Sequence, residues 1–323
     1  LKGVFMHTDR RDPGAGISQA VVLVSGGAAI SPFTTPTEAC RQGLAAGNTD
    51  TFLRDGLLRA GYRVFTSPAG VGYGQVTEDP GWGGFSNSPE ALSADMTVNA
   101  VGDIDQAGAS LARFFTYLHG AFDIDTVDIV AHSMGGLFSR AAIRKLQHAG
   151  SLVDIRTLTT IGTPWTGGFA ADYARGDVPL AECHGDPVCE ASMREFAKLV
   201  AASSQGAGEQ VTAAYLAGPA GWNERQAGVL DSIPVVTIGG NFYAHEGIPE
   251  VWPNDGLVAL GSAHADDISE RVLPQRVTRT FHDVHSIYFS HLLDLPWERA
   301  LTWDPDVLAS VIHALEHPGL RIG

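Results

Sequence analysis

Apolar and polar positions alternate in blocks along the chain. Gln19–Val24 (QAVVLV) reads as a short buried strand, and Ser25-Gly26-Gly27-Ala28 follows as a tight loop. Thr49–Ala60 has apolar residues at helical spacing and stops at Gly61, a C-cap signal. Tyr62–Thr66 is the next strand. Ser67–Glu90 is rich in Gly, Pro and aromatics without a period, and reads as a long structured loop. Asn99–His119 predicts an amphipathic helix capped at Gly120. Thr126–Ala131 predicts a strand, Gly136–Ala149 a helix and Ile155–Ile161 a further strand. Residues 165–228 break the rhythm with Gly, Ala and Ser clusters and one helical stretch, Glu190–Ala202. They read as an insertion capping the site. Ile233–Gly239 resumes the strand pattern, Val272–Phe281 holds the last strand, and Asp304–His317 is a terminal helix.

Strands alternating with helices predict an α/β domain, a mostly parallel sheet covered on both faces. One domain over residues 1–323 is expected, with the insertion inside it. The apolar fraction of 44% and charged fraction of 18% suit a globule with a large core. A net charge of −15 argues against nucleic acid as partner and against electrostatic docking on an anionic membrane. No apolar run reaches the roughly 18–20 residues that span a bilayer.

The chain begins at Leu1 without an initiator methionine, which reads as a processed mature chain or an excised fragment. Cys183 and Cys189 bracket a short loop. They are either a local disulfide, which would fit a secreted protein, or reduced thiols beside Cys40.

The candidate chemistry lies at Val127–Gly136, where an apolar strand runs into Ser133 between small residues and a helix follows at once. That layout is a nucleophile elbow, a cramped turn that pushes a hydroxyl out of the sheet. A serine at a strand–helix junction is otherwise an N-cap. To act as nucleophile it needs a base, and the base needs a carboxylate to hold its tautomer.

Loops at the carboxyl ends of parallel strands converge, and the expected chain order is Ser, acid, His. Asp255 follows the strand Ile233–Gly239. Four histidines lie downstream: His264, His282, His285 and His291. His285 stands first because it sits at the strand end before Ser286, with His282 second. His132 is expected to shape the elbow. The oxyanion donors are expected to be the N–H groups of Met134 and of Gly27, with Ala28 the second choice. Trp165, after Thr163-Pro164, is expected to line the acyl pocket together with Ala28, and Trp82 and Phe85 to line it from the other side.

The segments LVSGG, AHSMGG, TIGTPWTGG and NDGLV, with the His285 loop, resemble those of α/β-hydrolases, and more narrowly of bacterial lipases and esterases. The resemblance spans Val21 to Ser290. It implies Ser133 as nucleophile, Asp255 as acid and His285 as base. Family members commonly carry His-Gly where this chain has Ser25-Gly26. The implied activity is hydrolysis of carboxylic esters, on small-molecule or lipid substrates and at a lipid–water interface. That chemistry needs no metal or organic cofactor. Some similar lipases bind calcium, but Asp266-Asp267 reads as a solvated acidic turn. An acyltransferase would use the same residues. A binding module on the same fold usually loses the serine or the histidine, and this chain keeps both.

Overall fold

A computed structural model describes residues 18–29, 51–72, 74–76, 92–202 and 206–319. The chain opens with β1 (Gln19–Val24), α1 (Thr51–Arg59) and β2 (Val64–Thr66). Two short strands follow, β3 (Ala69–Gly70) and β4 (Val98–Asn99). Next come α2 (Ile104–Phe122), β5 (Thr126–His132), α3 (Gly135–His148) and β6 (Asp154–Ile161). Residues 165–228 carry α4 (Phe169–Arg175), α5 (Pro187–Ala202), α6 (Ala207–Gln210) and α7 (Ala213–Leu216). The remainder is β7 (Val235–Gly240), α8 (Leu260–Ala263), β8 (Arg276–Phe281), α9 (Ile287–Leu292) and α10 (Pro305–Glu316).

Among the described residues the main sheet runs β2-β1-β5-β6-β7-β8, and every neighbouring pair is parallel. The β1–β5 register sets Val24 opposite Ala131, and His132 lies opposite Ile161. Successive side chains point to opposite faces, so one sheet serves two cores. Val22, Ile129 and Leu158 pack under Phe114, Phe115 and Leu137 of α2 and α3. Val21, Leu23 and Val130 pack under Leu53 and Leu57 of α1 and Val307 and Val311 of α10. A third cluster joins Phe169, Met193 and Cys183 of residues 165–228 to Tyr243, Trp252, Ile287 and Phe289. It ties that segment to the loops that follow β7 and β8.

Local chemistry moves several boundaries from the expected ones. The helix expected from Asn99 begins at Ile104, because the Asp103 carboxylate accepts the Gln106 N–H as N-cap and Asn99 belongs to β4. It runs through Gly120 and ends at Asp123, whose backbone is left-handed (φ 54°). The last strand starts at Arg276 rather than Val272, since Pro274 has no N–H for the ladder. The loop expected over Ser67–Glu90 contains β3, which pairs with β4. Residues 77–91 of that loop, with Trp82 and Phe85, lie outside the described residues, as does Cys40. Helix α5 starts earlier than Glu190, at Pro187, where Asp186 accepts the N–H groups of Val188 and Cys189. Cys183 and Cys189 form a disulfide.

Candidate active site

Between β5 and α3 the chain reverses in two residues. Ser133 takes a left-handed backbone, φ 53°, which a non-glycine residue adopts only where its surroundings hold it. Its N–H donates to Ile161 O (2.8 Å), and its own carbonyl accepts the Thr163 hydroxyl (2.7 Å), so the end of β6 and the loop after it pin the turn from both sides. The turn also demands small neighbours. A Cβ at Gly135 would sit 2.4 Å from Val24 O, so any side chain there would push α3 off β1.

Ser133 Oγ lies 3.1 Å from His285 Nε2, and His285 Nδ1 lies 2.7 Å from Asp255 Oδ2. All three residues are buried. A carboxylate can only accept, so Nδ1 carries the ring proton and Nε2 is left to accept from the serine hydroxyl. Asp255 Oδ1 takes the N–H groups of Leu257 (3.0 Å) and Val258 (2.7 Å), which locks the carboxylate. The His285 N–H also donates to Asp255 O (2.8 Å), so the β7 and β8 loops meet by backbone as well as by side chain. Gly162, at φ 59°, closes the site from β6; a Cβ there would stand 3.1 Å from His285 Nδ1 and 3.3 Å from Asp255 Oδ2.

His132 adds a second support. Its Nε2–H donates to the carbonyl of His285 (3.0 Å), and the two rings lie 4.7 Å apart. Burial pushes the His132 pKa well below the ordinary histidine range, and the nearby His285 pushes it the same way. His132 therefore stays neutral and puts no second charge beside His285. The other histidines point elsewhere. His282 is stacked on Phe242 beside Asn241, and His264 bonds to Arg279 O. His291 is an exposed residue of α9.

The N–H groups of Met134 and Gly27 have no protein acceptor among the described residues. The two residues back onto each other: a Cβ on Gly27 would come 2.9 Å from Met134 Sδ. Ala28 differs. Its N–H donates to Ala100 O (3.1 Å), so it is not available to a ligand. A left-handed backbone (φ 58°) at Ala28 carries the loop past the site.

Trp165 requires a correction. It does not line an open pocket, because it is wholly buried with its indole N–H on Thr160 Oγ1 (3.0 Å) and its ring 4.3 Å from the Arg140 guanidinium. Trp222 covers the other face of Arg140 at 4.8 Å. Sequence reading quoted the segment TIGTPWTGG without giving Gly162 or Thr163 a role, and placed His132 at the elbow without its contact to His285. TIGTP after a strand was the available signal for the first two; the His132 contact joins residues 153 positions apart.

A family described as "Putative serine esterase (DUF676)" matches residues 92–174, which hold Ser133 but neither Asp255 nor His285. No curated protein matches the chain by sequence. Among solved structures, the lipase BlEst2 of Bacillus licheniformis in propeptide form aligns over 97% of this chain and 52% of its own, at 15% identity and a TM-score of 0.54. The chain thus spans about half the length of that protein. The mature form of the same lipase aligns over 85% of this chain and 88% of its own, at 15% identity and a TM-score of 0.50. A metagenomic carboxyl esterase, MGS0156, aligns over 94% of this chain and 76% of its own, at 12% identity and a TM-score of 0.51. Identities this low speak for the fold, while the family match supports a hydrolase of the esterase kind. The chain has the α/β-hydrolase fold and resembles the bacterial lipases and esterases that share it.

Proposed function

We propose that this protein hydrolyses carboxylic esters through an acyl-enzyme on Ser133. The observation that carries this reading is the Ser133–His285–Asp255 relay, with contacts of 3.1 and 2.7 Å, at a serine whose backbone is left-handed. His285 Nε2 takes the hydroxyl proton as Oγ attacks the ester carbonyl. The new C–O bond puts negative charge on the carbonyl oxygen, which the N–H groups of Met134 and Gly27 receive. His285 then protonates the departing alcohol. Water, deprotonated by the same nitrogen, cleaves the acyl-enzyme and restores Ser133. Asp255 holds the tautomer and steadies the imidazolium throughout.

Residues 165–228 serve as a cap, packed against the loops that carry Asp255 and His285. The Cys183–Cys189 disulfide supports secretion into an oxidising compartment. Substrates are small esters or lipids, met in solution or at a lipid–water interface. Among the described residues no helix is long and apolar enough to cross a membrane.

Ser133→Ala should lower kcat on p-nitrophenyl esters by roughly 10⁴-fold or more with the fold intact. A variant that kept wild-type turnover would end this reading. Product partition in added glycerol distinguishes hydrolysis from acyl transfer, and hydrolysis predicts free acid as the main product.

A further inference from the structure

A cavity lies at the opposite end of the sheet from Ser133. It opens between α10 and the amino-terminal halves of β7 and β8, and its volume is about 240 Å³. Its walls include Val235 and Arg276, the first residues of their strands, and Thr157 and Thr159, which pair with Asp128 and Val130 midway along β5. The lining is apolar at Val236, Val277 and Ala314 and includes Pro318.

Among the described residues the lining includes no carboxylate side chain, on a chain whose net charge is −15. Its ionisable members are Arg276, Arg279, His313 and His317. Two buried polar atoms in these walls have no hydrogen-bond partner: Thr159 Oγ1 and His313 Nε2. Thr159 is almost wholly buried. Unmet polar atoms of this kind are rare in folded proteins, and here two line one cavity.

The nearby charges leave the site cationic. Arg276 is in register with Val235 and Leu158, so its side chain leaves the sheet on the face away from α10 and pairs there with Asp266 (3.5 Å). Asp128 is already bound by Gln19, Arg156 and Thr157. The carbonyl of Leu315, near the negative end of α10, is capped by Arg156 (2.9 Å). Among the described residues no carboxylate is paired with Arg279, whose Nη1 donates to Thr278 O (3.1 Å).

We propose that this cavity binds a medium-chain carboxylate, its head on Arg279, His313 and Thr159 and its chain along Val236, Val277 and Ala314. Arginine matches the two carboxylate oxygens in geometry and charge. The cavity is smaller than the roughly 300–1,000 Å³ of drug-sized sites, which selects one unbranched chain with one head. Inorganic phosphate would satisfy the donors and leave the apolar lining wet. A neutral alcohol would cover that lining and leave the cations unmet.

The test uses the full chain carrying Ser133→Ala, so no turnover contributes and the outcome is independent of the proposed hydrolysis. Octanoate is titrated while the methyl resonances of Val236, Val277 and Ala314 are followed by NMR. The expected result is saturable shifts at all three. Octan-1-ol, inorganic phosphate and octyl phosphate should each bind at least ten-fold more weakly. Arg279→Gln should raise Kd ten-fold or more, Thr159→Val should raise it at least three-fold, and Ser310→Trp should fill the cavity and abolish the shifts. Ser310 lines the cavity from the surface of α10, so this change leaves the core in place. Shifts confined to residues around position 133, or equal affinity for octan-1-ol, would overturn the proposal. So would tighter binding of octyl phosphate, or an unchanged Kd in Arg279→Gln.

Discussion

His132 is held neutral and spends one ring nitrogen on the backbone of His285. Its partner nitrogen, Nδ1, is buried and unmet. A residue so placed positions the base without touching the ester. His132→Phe keeps a ring in the gap but removes the hydrogen bond, and His285 can then drift. A displacement of about 1 Å at a reacting group costs on the order of 10²-fold in rate. The expected result is a fall of 10- to 100-fold in kcat with little change in KM, read from steady-state kinetics. The variant should also change how stability depends on pH. Burial depresses the folded-state pKa below the unfolded value of about 6.5. Wild-type stability from this group is therefore present above about pH 6.5 and is lost as pH falls below it. Urea unfolding of His132→Phe should show a shallower loss on the acid side.

At the scale of elements, Asp172 links two helices of the segment between β6 and β7. It lies on α4 and accepts the Ala213 N–H at the start of α7 (2.8 Å). Burial raises its pKa to about 6, an effect that the hydrogen bond from Ala213 only partly offsets. The folded protein thus holds the proton more tightly than the unfolded chain, whose value is about 3.9. Stability from this group is full below about pH 4 and is lost as pH rises through about 6. Asp172→Asn keeps an acceptor for Ala213 and removes the buried charge. It should be more stable than wild type at pH 7 by on the order of 1–3 kcal/mol and flat between pH 4 and 6. Urea unfolding at pH 4 and pH 7 checks this; an unchanged slope would mean that Asp172 is well solvated.

Across the whole molecule, one side chain on α3 holds both ends of residues 165–228. Arg140 lies between the rings of Trp165 and Trp222, and its Nη1 donates to Asn223 Oδ1 (2.8 Å). Asn223 in turn donates to Trp165 O (2.8 Å). Burial pulls the Arg140 pKa down to about 9, and its Nε and Nη2 have no partner. The cation gains from the two aromatic faces and loses from desolvation. Arg140→Ala empties the space between the two indoles and should cost about 2–4 kcal/mol. Arg140→Met fills that space without a charge and should recover at least half of the loss. Should the two variants be equally destabilised in urea unfolding, charge rather than packing would be what the clamp requires.

The chain on its own determined what is set by neighbours in sequence. The strand–serine–helix turn, the parallel α/β order and the positions of Asp255 and His285 after successive strands depend on local period and turn chemistry, and each was legible. Tertiary structure decided everything that joins distant positions. A tryptophan after a strand looks the same whether it faces a ligand or a guanidinium, and only packing against Arg140 places Trp165 in the core. Two adjacent amides look equally free until Ala100 claims that of Ala28 and leaves that of Gly27. His282 and His285 are both near the end of β8, and the direction in which the strand delivers each side chain brings His285 to Ser133 and lays His282 on Phe242. The physical reason is common to all three: hydrogen bonds and burial act between groups that are close in space, and the sheet brings together residues that sequence keeps apart.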